Sequence, residues 1–173
     1  MFSRLLTPRG YGLVVVVGGA LVALTAPLAL DPVPRLVWNA SASAPIGLWR
    51  ITPAAPIGVG DHVLVEPPPA VRRLAAQRHY LPANVPMIKA VAAVSGDKVC
   101  AAGPWIEVND RPVALRRAAD RRGRKLPWWS GCQRLSNGAI FLLNPAPDSF
   151  DGRYFGPVSK AAVIGKAAPL WLR

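Results

Sequence analysis

Histidine and cysteine are scarce in this chain, at two each among 173 residues, and acidic side chains number only nine. A metal centre needs several ligands at short spacing, and neither His62 nor His79 lies at ligand spacing from the other or from a cysteine. Neither a metal nor a cofactor is expected. A Ser/His/Asp triad is equally poorly served, because both histidines stand in ordinary contexts. Against the nine acids stand 21 Lys and Arg, a formal net charge of +12 and a pI near 11.1, which favour anionic neighbours. Internal repeats, low-complexity tracts and a helix-turn-helix pattern are absent, and the last absence argues against nucleic acid as the partner. With 19 Pro, 15 Gly and no long polar tract, the chain predicts many turns and short strands, hence a mainly β fold.

Charge is also missing from residues 10–30, an uninterrupted apolar run that as a helix just covers a hydrocarbon core of roughly 30 Å. One transmembrane helix over 10–30 is predicted, with a cleaved signal peptide or a buried core helix as the competing readings. Arg4 and Arg9 precede the run, while Asp31 and Arg35 follow it, so residues 1–9 fall in the cytoplasm and residues 31–173 outside it. In that oxidising compartment Cys100 and Cys132 predict a disulfide, which closes a basic excursion over 100–132. Strands are expected at 62–65, 106–108, 139–143 and 161–164, with a short basic helix over 70–80. Residues 86–94 and 98–100 flank the turn Ser95-Gly96-Asp97 and read as a hairpin.

Lys89 is the only charge in the apolar segment 86–94, so it must reach an edge, snorkel, or be buried. Burial would lower its pKa and make it a base, whereas an edge lysine would merely guard against aggregation. Ser41 and Ser43 lie among alanines before the turn Pro45-Ile46-Gly47, and Lys89 is the best base available to activate a serine.

Three segments then acquire a common meaning. Ser-x-Pro-x-Gly-Leu-Trp at residues 43–49, Ile88-Lys89-Ala90-Val91 with Ser95-Gly96-Asp97-Lys98-Val99, and Asp148-Ser149-Phe150-Asp151-Gly152-Arg153-Tyr154-Phe155-Gly156 resemble, in order and spacing, the main motifs of type I signal peptidases. More closely they resemble the conjugative-transfer, TraF-type branch, as do residues 126–132 and the position of Cys100. The resemblance covers about residues 38–171. It implies a signal-peptidase-like antiparallel β catalytic domain against the membrane, on the periplasmic side of a bacterial inner membrane, with a Ser/Lys dyad.

By the same resemblance Ser43 matches the nucleophile and Lys89 its general base. Ser41 matches an oxyanion-hole hydroxyl acting beside the Ser43 backbone N–H, and Ser149 a serine near the lysine amine. Asp151 matches a third functional residue, ion-paired with Arg153. Only Ala44 separates Ser43 from the proline, a spacing that suits the transfer branch and leaves Ser41 as the alternative nucleophile. Gly152 stands where the family usually has serine. The implied substrate is a secreted or membrane precursor protein such as a conjugative pilin, cut after small residues, with hydrolysis and cyclisation of the acyl-enzyme both open. The rival reading is a noncatalytic membrane-tethered binding module using the arginines of segment 116–125.

Overall fold

The computed structural model describes residues 8–30, 33–53 and 56–173, and within the N-terminal helix the side chains of residues 10–26. Arg4, the Arg9 side chain and Asp31, which bear on the topology expectation, lie outside the described residues. The chain divides into an N-terminal unit ending at Pro34 and a second unit, Arg35–Arg173. In the first, helix α1 runs over Pro8–Leu30. Its apolar side chains, among them Leu13, Val14, Val17, Leu21 and Leu24, are exposed on all sides. Among the described residues no helix is long and apolar enough to cross a membrane.

The second unit is mainly β. A seven-stranded antiparallel sheet contains β1 (Leu36–Asn39), β2 (Gly47–Thr52), β3 (His62–Val65), β4 (Met87–Ala93), β9 (Ala139–Leu142), β10 (Val158–Ser159) and β11 (Val163–Leu172), in the order β1-β2-β11-β3-β4-β9-β10. A four-stranded antiparallel sheet contains β5 (Lys98–Ala102), β6 (Trp105–Val108), β7 (Arg111–Leu115) and β8 (Gly131–Arg134), in the order β7-β6-β5-β8. Helix α2 (Pro69–Gln77) opens with proline at its first position, where a missing N–H costs nothing. A four-residue helix, α3 (Gly152–Phe155), lies within the third motif.

Two expectations are corrected here. The turn at 95–97 does not make a hairpin, because β4 pairs with β3 and β9 while β5 pairs with β6 and β8 in the other sheet. The turn is instead the corner between the sheets: Asp97 accepts from the backbone N–H of Val94 and from Asn109, and the Leu135 N–H donates to the Asp97 carbonyl. The strand expected at 161–164 begins only at Val163, after a 3-10 turn at Lys160–Ala162, and is ten residues long.

The core also settles where Lys89 goes. β4 is flanked on both sides, and its Met87 and Val91 pack with Val63 and Val65 of β3 and Leu142 of β9. A strand covered on both faces reads as a continuous apolar run, which is why alternation was missing from 86–94. Lys89 is 2% exposed, so the edge-guard reading fails.

Candidate active site

The loop bearing Ser41 and Ser43 is organised by Asn39. Its amide donates to the carbonyls of Ser41, Ala44 and Pro45 at 2.9, 3.1 and 2.9 Å, and its side-chain oxygen accepts the Ser41 N–H. Trp49, 1% exposed, fastens the far end by donating from Nε1 to the Pro45 carbonyl. Gly47 has φ +150°, and a Cβ there would lie 2.1 Å from the Trp171 carbonyl, so only glycine fits the turn beside β11. The loop is thereby bent so that both hydroxyls, half-buried, line a cleft of about 670 Å³. Ser41 Oγ and Ser43 Oγ are 2.8 Å apart, and the Ser43 N–H donates to Ser41 Oγ at 3.3 Å.

Lys89 lines the same cleft from β4. Its Nζ donates to Ser149 Oγ at 2.9 Å, and Ser149 is itself 1% exposed. Burial lowers the lysine pKa to about 8; Asp151 pulls it back up and Arg153 pushes it further down. The polar contacts therefore form two couples, Ser41 with Ser43 and Lys89 with Ser149. Among the described residues no hydrogen bond joins Ser43 to Lys89.

Asp151 and Arg153 form a fully buried ion pair, with Arg153 Nε 3.1 Å from Asp151 Oδ1. Asp151 caps α3 by accepting the Arg153 N–H, and its other oxygen accepts the Asn144 N–H at 3.0 Å. Its hydrogen bonds are thus made to Arg153 and the backbone, and its effect on Lys89 is through space. Arg153 extends the arrangement by donating to the carbonyls of Pro147 and Asn144.

Asn144 carried no sequence signal, yet it joins these parts. It is 1% exposed, accepts from the Ala90 N–H at 2.7 Å and donates to the Ile88 carbonyl at 3.3 Å. Those groups bracket Lys89, so Asn144 clamps the lysine's strand to the loop carrying Ser149 and Asp151. A polar residue one step past an apolar strand was the only available hint. Gly152 is also explained: a Cβ there would lie 2.6 Å from both the Leu142 carbonyl and the Phe141 ring, leaving no room for the family's usual serine.

The cysteines are bonded, Cys100 of β5 facing Cys132 of β8 in register. The segment between them does not behave as a solvated basic loop. Arg116 is 4% exposed, donates to the Gly103 and Trp129 carbonyls, and lies 4.3 Å over the Trp128 ring. Beyond it, Arg117 and Arg121 pair with Asp148, the residue before Ser149. Among the described residues no group of three or more His, Cys, Asp or Glu could hold a metal ion.

Comparison with known proteins places this chain in a family. A probable conjugal transfer protein TraF of Sinorhizobium fredii (strain NBRC 101917 / NGR234) is 37% identical over 75% of this chain and 73% of its own. A plasmid transfer protein TraF of Escherichia coli is 35% identical over 72% and 76%, respectively. Among solved structures, a signal peptidase I from Enterococcus faecalis V583 aligns with a TM-score of 0.37 at 18% identity, covering 65% of this chain and 97% of that one. The family model for signal peptidase, peptidase S26, matches residues 9–172, and the chain belongs to that family.

Proposed function

We propose that this protein is a serine endopeptidase in which Lys89 removes the proton of Ser43 as Ser43 attacks a peptide carbonyl. The observation that carries the reading is the buried Lys89, its pKa lowered to about 8, lining one cleft with Ser43. A serine hydroxyl is a weak nucleophile at neutral pH, and a desolvated lysine has a neutral fraction able to take its proton. In this reading Ser43 and Lys89 leave their present partners, Ser41 and Ser149, to meet each other. Ser41 would then be released to donate, with the Ser43 N–H, to the oxyanion. Ser149 holds the amine in the cleft, and the Asp151–Arg153 pair supports the loop behind it.

The substrate in this reading is a precursor protein of a conjugative transfer apparatus, such as a pilin. α1 is the membrane anchor, and the catalytic domain works outside the cytoplasm. The exposed, uncharged side chains of α1 over residues 11–25 support the anchor. Contact with the bilayer is supported by Trp38 and Trp171, exposed with ring centroids 5.8 Å apart and flanked by exposed Leu36, Leu170 and Leu172.

Purified variants with a matched precursor test the dyad. Ser43→Ala and Lys89→Arg are each expected to abolish turnover, because arginine keeps the charge but releases no proton near neutrality. Ser41→Ala is expected to lose about 10²- to 10³-fold. The rate should rise along an alkaline limb centred near pH 8, where Lys89 loses its proton. Near-normal turnover by Lys89→Arg would sink the mechanism, and an active Ser43→Ala beside an inactive Ser41→Ala would move the nucleophile to Ser41.

A further inference from the structure

The lining of the cleft carries charge that the chemistry at Ser43 does not use. Asp148 is held by Arg117 at 3.0 Å and also by Arg121, and Asp120 by Arg124 at 2.7 Å and Arg78 at 3.9 Å. Each aspartate is outnumbered two to one, so each cluster keeps a positive charge. Arg122, exposed on the same lining, has no partner for its guanidinium among the described residues.

We propose that this arginine rim is a recognition surface for an acidic segment of the peptide substrate, flanking the bond presented to Ser43. The inference rests on the peptidase reading of the cleft. These arginines line the same cavity as Ser43 and Lys89, so a chain laid across the serine passes them. The ion pairs fix most of the guanidinium groups before a ligand arrives, which lowers the ordering cost of binding. Arginine's forked donors match carboxylates, and Arg117, Arg121 and Arg124 keep N–H groups beyond those bonded to aspartate. The buried Arg116 anchors the start of the rim, and the Arg117 N–H donates to the Tyr154 hydroxyl of α3 at 3.0 Å, so the surface is a built wall rather than a free loop. A lipid headgroup surface would not require its arginines to share a cavity with the candidate nucleophile.

The test uses the full chain carrying Ser43→Ala in detergent micelles, with two labelled Ala-rich peptides that differ only in glutamate or glutamine flanks. Fluorescence anisotropy at low ionic strength is expected to give a Kd about 10-fold lower for the glutamate peptide, a preference that shrinks as salt rises. Adding Arg122→Glu should remove most of that preference. Lys160→Glu, an equal charge change on an exposed residue outside the cleft, should keep it. Equal affinity for the two peptides overturns the proposal, as does an equal loss in the Lys160→Glu protein. So does a preference that survives Arg122→Glu while binding to phosphatidylglycerol vesicles is lost, which would make the rim a lipid-binding surface. Failure of the peptidase reading has a separate signature: turnover retained by Ser43→Ala, whatever the binding ratio.

Discussion

Lys89 carries a cost that its neighbours only partly offset. Its ammonium is removed from water and given one hydroxyl partner, and its pKa falls from 10.5 to about 8. The folded value lies below the unfolded one, so between about pH 8 and 10.5 the unfolded chain binds more protons and stability rises with pH. At neutral pH the charged, buried lysine therefore destabilises the fold by about 3 kcal/mol relative to its neutral form. Lys89→Met, similar in length and uncharged, is expected to raise the melting temperature at pH 7 while abolishing turnover, with the gain fading as the pH approaches 10.5. Denaturation across that range checks it; a gain independent of pH would remove burial of the charge as its cause. The single charge in segment 86–94 was legible, but burial, an edge position and snorkelling share that pattern. Flanking strands chose between them.

Strand β4 and helix α3 depend on contacts that no local pattern announces. Asn144 follows the end of β9, and the Leu143 N–H donates to the Ala90 carbonyl while the Asn144 side chain accepts the Ala90 N–H. Asn144→Ala leaves that part-buried N–H without its partner and is expected to cost about 1–3 kcal/mol. Because Asn144 bonds on either side of Lys89, the same change should also displace the alkaline limb of the pH–rate profile. A stability loss with an unmoved limb would confine Asn144 to scaffolding. Gly152→Ser is expected to destabilise the domain by about 1–3 kcal/mol, measured by urea denaturation, since the added Cβ meets a backbone oxygen as well as the buried Phe141 ring. The strand at 106–108 was legible, and Asn109-Asp110, with φ values of 49° and 62°, make the tight two-residue turn that follows it. The supposed hairpin at 95–97 was not, because a turn signal marks a change of direction without naming the strand that will be paired.

Across the whole of the second unit, the four-stranded sheet is tied by the bond between Cys100 and Cys132. Holding a loop of 32 residues' separation constrains the unfolded chain by about 3–4 kcal/mol. The double substitution Cys100→Ser with Cys132→Ser is expected to lose stability of that order, read as a lower denaturation midpoint. Little change would place the sheet's stability in its packing of Val99, Ala101, Ile106 and Phe141 instead. The amino-acid sequence by itself determined the β class, the apolar N-terminal run, the scarcity of metal ligands and the three motifs, because each is a matter of composition or short spacing. Tertiary structure alone decided that Lys89 is buried and bonded to Ser149, that Asn144 ties its strand to Asp151, that Gly152 has no room for a side chain, and that the arginine segment walls the cleft. Those outcomes depend on which strands pair and on what a buried group meets there, quantities set by contacts between residues tens of positions apart.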